Sequence, residues 1–267
     1  TGLCSEKMHR QSVPVLGFSP RPIETDTSQG KDMKSLKLLA ANKGVGHFQA
    51  KISPSKTTLF LFDAIASDRE TAEFFGGTAP EDFSRAVAQS TGDIDIYMNC
   101  PGGCVFGGQA MAASIKRASG RVRVFVDGLA ASAATVVAAA ADEVIMSAGS
   151  FFMIHNAWTG TIGNARDMRE SADLLETIDT SLVEQYVQRT GQTSDAIRAM
   201  VDAETWLDAD RAVELGFADR VEGAPSNDKT AFDLSAYAKA PSQLLADKSE
   251  RELIQTRLRL ASAMANV

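Results

Sequence analysis

Between residues 57 and 147 short apolar runs alternate with small-residue or amphipathic stretches, and this rhythm constrains the fold most. "TTLFLFDAI" (57–65) has the continuous apolar character of a buried strand, and "DIDIYMN" (93–99) alternates as a strand does. "VRVFVDG" (122–128), "EVIMS" (143–147) and "FFMIH" (151–155) read as further strands. Between them, "PEDFSRAVAQS" (80–90) suits a helix with Pro80 in its first turn. Residues 107–118 and "ASAATVVAAAA" (131–141) suit helices of small residues that pack closely. Strands separated by helices are joined by crossovers, so the expected class is α/β with a largely parallel sheet.

A long helix is expected over 165–190, where Met168, Ala172, Leu175, Ile178, Leu182 and Tyr186 recur at steps of three and four along one face. Gly191 stands where a C-cap belongs. Shorter helices follow at about 194–202 and 209–215, the second ended by Gly216, and "ADRV" (218–221) is a last short strand. Residues 1–32 are polar, carry Pro14, Pro20 and Pro22, and lack periodicity. The expected division is therefore a mostly flexible arm over 1–44, a main domain over 45–223, and a tail over 224–267. The tail is rich in Ala, Ser, Pro and Lys, with an amphipathic helix at 250–264. The chain opens on Thr1, and Met33 is an alternative start.

Composition removes several functions. With 27 basic and 34 acidic residues the net charge is −7, unlike the basic surface of a nucleic-acid binder. The longest small or apolar run, 129–141, is shorter than the ~20 residues a membrane span needs. Cys4, Cys100 and Cys104 cannot build a disulfide framework, which suits a reducing, cytoplasmic setting.

Three fragments carry chemistry. In "GLAASAA" (128–134) a strand is expected to end at Gly128, with Ser132 at the start of a helix, where free backbone N–H groups and the positive dipole end favour an oxyanion. The alternative is a serine that merely caps the helix. In "NCPGGC" (99–104) two glycines let the backbone approach a ligand, or simply make a turn. His155 ends an apolar strand in "FFMIHNAW", and a neutral imidazole there could take and return the serine proton; structural histidines also occur at such ends. A third member would be a carboxylate, Asp202 or Glu204 in "VDAETWLDAD", and the residues themselves do not choose between them.

In order, "PGG", "GxxAS", "MIH" and "TGQT…ETWL.AD.AVELGFAD" resemble the motif series of the Clp peptidase family from about Leu59 to Val221. "NCPGGCVFGG", "VDGLAASAATVVAAAAD", "MIHNAW" and "AETWL" look like its phage head-maturation, or prohead, branch. The resemblance implies a crotonase-like spiral of βαβ units, with 165–190 as a protruding handle helix that packs subunits into stacked rings. It implies a serine endopeptidase with no cofactor and no metal: Ser132 as nucleophile, His155 as base and Glu204 as acid. Gly103 and Ala133 would be the oxyanion-hole amides. The family usually has Asp at the acid position, so Glu204 is a departure and Asp202 remains the alternative acid.

The implied partners are copies of the chain itself and protein substrates such as scaffold or capsid tails, in the host cytoplasm or an immature head. The alternative is a housekeeping peptidase chamber fed by an ATP-driven unfoldase. A crotonase-type acyl-CoA enzyme would not need Ser132 with His155. A Ser–Lys peptidase is disfavoured because no lysine lies between Lys116 and Lys229. Cys100 and Cys104 lack a second ligand pair for a metal. A ring protein that has lost catalysis would not need Ser132 and His155 intact. No "GxxxxGK[ST]" phosphate loop is present, so the chain has no such means of coupling nucleotide hydrolysis to unfolding.

Overall fold

The computed structural model describes residues 34–223 and 230–245, together with 247, 249, 251–253 and 256. The polar arm at 1–32 and most of the 250–264 segment lie outside the described residues. The elements run α1 (Lys34–Ala41), β1 (His47–Ile52), β2 (Lys56–Phe62), α2 (Arg69–Phe75), α3 (Pro80–Gln89), β3 (Asp93–Cys100), α4 (Val105–Ile115), β4 (Val122–Ala131) and α5 (Ala133–Ala139). They continue with β5 (Glu143–Ser147), β6 (Phe151–Ile154), α6 (Ala165–Thr190), α7 (Ser194–Asp202), β7 (Thr205–Asp208), α8 (Ala209–Glu214) and β8 (Arg220–Glu222).

The sheet runs β1-β2-β3-β4-β5-β8, with β6 beside β4 and β7 beside β6. Pairings from β2 through β5 to β8 are parallel, as is β4 with β6; among the described strands only β1–β2 and β6–β7 are antiparallel. This is the α/β class expected from the strand–helix rhythm. One difference bears directly on function: β4 does not stop at Gly128 but runs through to Ala131. The extra residues pair with β6, where Leu129, Ala130 and Ala131 face Phe151, Phe152 and Met153. The strand therefore delivers the chain straight into Ser132.

Alternation along these strands places successive side chains on opposite faces. Ala130, Phe152 and Ile154 belong to the main core, with Met111 of α4, Val136 and Val137 of α5, and Leu182 and Tyr186 of α6. Leu129, Ala131 and Met153 point the other way, into a second cluster with Leu38 of α1 and Phe232, Leu234, Tyr237 and Leu244. Segments assigned from sequence to a flexible arm and a tail thus pack on the body. Fully burying an aliphatic or phenyl side chain contributes ~1.5–3 kcal/mol, and Leu38, Phe232 and Leu234 are all buried. Asn42 ties the two segments together: its Nδ2 donates to the Asp233 carbonyl at 3.2 Å, and its Oδ1 accepts the Asp233 amide at 2.7 Å.

Helix α6 starts at a capping box in which Asn164 and Asp167 satisfy each other's backbone N–H groups. Its buried residues, Leu182, Val183 and Tyr186, lie in its C-terminal half, while Met168 and Leu174 in its N-terminal half are exposed. No helix among the described residues is long and apolar enough to cross a membrane.

Candidate active site

Ser132 occupies the N-cap position of α5 but does not cap it: its side chain makes no bond to the helix backbone. Its backbone has φ 54° and ψ −123°, a conformation that L-residues adopt at a cost of order 1–3 kcal/mol. That conformation turns the chain from strand to helix in one residue. It is held by the Ser132 amide donating to the Met153 carbonyl at 2.8 Å and by Thr135 donating from both its amide and its hydroxyl to the Ser132 carbonyl. The hydroxyl thus freed from capping lies 2.7 Å from Nε2 of His155. His155 follows directly on β6, the neighbour of β4, so the pairing of two strands sets the two side chains opposite each other.

His155 is buried, and burial is the largest influence on it, pushing its pKa down to about 4. Glu204 opposes that shift and Lys34 adds to it. The imidazole is therefore neutral at neutral pH, the form that accepts a proton from a hydroxyl. Its ring packs edge-on against Trp158 at 4.6 Å and Tyr237 at 5.5 Å between centroids.

The "PGG" turn stands beside the serine. Gly102 and Gly103 have φ of 92° and 141°, and a Cβ on Gly103 would come within 2.1 Å of the Ile65 carbonyl. Glycine is required there by both conformation and space. Ile65 clasps the turn, donating to the Gly102 carbonyl at 2.7 Å and accepting the Cys104 amide at 2.9 Å. Among the described residues the amides of Gly103 and Ala133 have no protein acceptor. Both residues line a cavity of about 210 Å³ that also touches Ser132 and His155 and is walled by Val136, Leu175, Ile178 and Leu182.

The two candidate acids are placed differently. Asp202 Oδ1 accepts from the side chain of Asn156 at 2.9 Å. Glu204, itself at φ 49°, accepts the Ala238 amide at 3.0 Å, the Lys239 amide at 2.6 Å and the Trp206 indole N–H at 3.3 Å. Among the described residues neither carboxylate is hydrogen-bonded to His155, although the imidazole feels the charge of Glu204.

One residue of the site has no counterpart in the sequence reading. Tyr237 donates its hydroxyl to the Pro101 carbonyl and packs its ring on His155. Its place in a tail read from its Ala, Ser, Pro and Lys content hid it. The available signal was indirect: "LAA" and "FFMI" are apolar at consecutive positions, so both faces of those strands require cover.

A family model described as Clp protease matches residues 85–224. The chain is similar to the "ATP-dependent Clp protease proteolytic subunit" of Streptococcus pneumoniae strains Hungary19A-6 and CGSP14. In each case 32% of 136 residues are identical, covering 49% of this chain and 69% of the relative. Its fold is similar to that of an asparagine-to-aspartate mutant of ClpP1 from Listeria monocytogenes, with a TM-score of 0.52 and 22% identity. That superposition covers 62% of this chain and 91% of the other.

Proposed function

The chain belongs to the Clp protease family and is a serine-type peptidase, and on that premise we propose that Ser132 is the nucleophile and His155 the general base. The observation that carries this is the 2.7 Å contact between Ser132 Oγ and His155 Nε2, made by a serine whose strained backbone leaves it free of the helix it precedes. In the forward step the hydroxyl oxygen attacks the scissile carbonyl while Nε2 takes its proton, and the imidazolium then gives that proton to the leaving amine. The carbonyl oxygen becomes an oxyanion next to the amides of Gly103 and Ala133, which have no acceptor among the described residues, the second standing in the first turn of α5. Water repeats the sequence on the acyl-enzyme. Glu204 is the acid of this reading, supported by its effect on the imidazole; Asp202, bound to Asn156, is the alternative.

A fluorophosphonate probe tests the assignment. Labelling should map to Ser132, vanish in Ser132→Ala and fall strongly in His155→Ala. Labelling at another residue in active protein overturns it.

We further propose that the subunit assembles into rings through the exposed half of α6, and that its substrates are extended segments of scaffold and capsid proteins during head maturation. The wording of "NCPGGCVFGG" and "MIHNAW" supports that substrate, as does the chain continuing beyond the matched residues into an ordered segment at 230–245. The similarity to proteolytic subunits of ATP-dependent proteases favours a second reading, a chamber fed by an ATP-driven unfoldase. A time course with purified scaffold protein, a tightly folded control and no nucleotide separates the two. Cleavage of scaffold alone supports head maturation, and cleavage only after an unfoldase is added supports the chamber.

A further inference from the structure

Residues 230–245 lie beyond the stretch matched by the family model, yet they reach the centre of the site. The segment is fixed at several points. Asn42 clasps Asp233, Glu204 accepts the amides of Ala238 and Lys239, and Thr230 donates its amide to the Leu244 carbonyl at 3.2 Å. Phe232, Leu234 and Leu244 are buried beneath it. Between these anchors the segment inserts Tyr237.

Tyr237 contacts the base, both tryptophans and the glycine turn. Its ring packs on His155 at 5.5 Å, stacks on Trp158 at 5.3 Å with an interplanar angle of 21°, and meets Trp206 edge-on at 5.8 Å. Its hydroxyl binds the Pro101 carbonyl, immediately before the glycines whose backbone would present the Gly103 amide. A Cβ built on Gly102 would lie 2.8 Å from the Ser132 Cβ and 3.0 Å from the Tyr237 hydroxyl, so the turn packs closely against both the nucleophile residue and the phenol. Because both glycines have positive φ and no side chains, the turn cannot fix its own conformation. Ile65 holds it from one side and Tyr237 from the other.

We infer that 230–245 is a strap that completes the active site in cis, with Tyr237 as a positioning residue that holds the Pro101–Gly103 turn and the His155 ring in register with Ser132. This rests on Ser132 and His155 being the reacting pair. That pair is at hydrogen-bonding distance with the strap in place, so the docked strap accompanies the assembled site rather than dismantling it. Glu204 then has a second role: it binds the strap backbone next to the tyrosine.

Both tryptophans of the chain, Trp158 and Trp206, pack on Tyr237, so intrinsic fluorescence reports whether the strap is seated. The test is Tyr237→Phe, which keeps the ring and removes the hydroxyl. The expected result is unchanged emission, Ser132 labelling by a fluorophosphonate slowed about tenfold or more, and a peptide-hydrolysis defect in kcat with KM unchanged. Labelling and kcat equal to wild type, or faster, overturn the proposal. If the phenyl ring alone does not seat the strap and the emission shifts, Asn42→Ala loosens the same strap with Tyr237 intact. Labelling must then fall as the emission shifts, and full labelling with shifted emission overturns the proposal. Labelling that persists in Ser132→Ala defeats the nucleophile assignment and this proposal with it. Ser132-dependent labelling that is indifferent to Tyr237→Phe defeats this proposal alone.

Discussion

The carboxylate of Glu204 is bound to the backbone of Lys239, whose amide donates to Oε1 at 2.6 Å. Oε2 takes the Ala238 amide, so a glutamine, with one acceptor instead of two, cannot serve both. Loss of an orienting or assembling group at such a site costs roughly 10²–10⁴ in turnover. Glu204→Gln should fall in that range in kcat for peptide hydrolysis. Asp202→Asn, which disturbs the contact with Asn156 and, among the described residues, no hydrogen bond to His155, should stay close to wild type. The opposite ranking would pass the acid role to Asp202.

The pH dependence follows from the burial of His155. A histidine with its folded pKa at about 4 rather than 6.5 stays neutral, and so remains a base, well below neutral pH. The acid limb of Ser132 labelling should have its midpoint near pH 4. Lys34 pushes the imidazole pKa down, so Lys34→Gln should move the limb upward. The unfolded chain takes up the His155 proton near pH 6.5 and the folded chain only near 4. Its contribution to stability is therefore complete above 6.5 and is lost as pH falls towards 4. A limb centred on 6.5 would contradict the burial argument.

The cavity beside Ser132 makes a prediction about sequence preference. Its walls include Val136, Leu175, Ile178 and Leu182, and a side chain entering it leaves water for apolar contacts. Burying a leucine-sized side chain contributes ~1.5–3 kcal/mol, or about tenfold and upward in kcat/KM. Peptides with Leu or Met before the cleaved bond should exceed those with Asp by at least that factor. Ile178→Phe should narrow the cavity and reduce the advantage of large residues over Ala. Equal rates across such a panel would mean that the cavity does not hold the substrate.

The exposed half of α6 predicts association. Met168 and Leu174 are uncovered there, and Ile162 is exposed in the loop before the helix. An apolar patch on a protruding helix is buried efficiently by a second copy. Sedimentation should show a ring-sized species at micromolar concentration, and Leu174→Asp should shift it towards monomer. A wild-type monomer that still cuts protein would remove the ring from the proposed mechanism.

The core of the fold was legible because its signals are local. The period of 165–190 gave α6 to the residue, and the strands at 93–99, 122–128 and 143–147 reappear with small changes at their ends. Ser132 and His155 were legible as types in context, and adjacent strands bring them together. Strand β1 and helix α2 escaped, and three further omissions have clear physical reasons. The short β7 is hidden in "ETWLDAD" because four residues show no period. Helix α1 is only eight residues and owes its place to Leu38 and Leu39, buried against the body. The strap has no repeat of its own: Phe232, Leu234, Tyr237 and Leu244 are irregularly spaced because each fills a separate gap over β4 and β6. Long-range packing of that kind leaves no periodic trace in the segment that supplies it.

The positive φ of Ser132 has a practical consequence for anyone wishing to capture what this peptidase binds. An inactive trap is usually made by serine-to-alanine exchange, but alanine keeps the Cβ and with it the whole backbone strain. Glycine occupies that region freely. Ser132→Gly should therefore be an equally dead and more durable trap, melting above both Ser132→Ala and the native protein. The strain relieved, of order 1–3 kcal/mol, exceeds the few tenths to 1 kcal/mol of chain entropy that glycine adds to the unfolded state. At this position the protein forgoes stability for reactivity, and a single deleted hydroxymethyl group would reveal by how much.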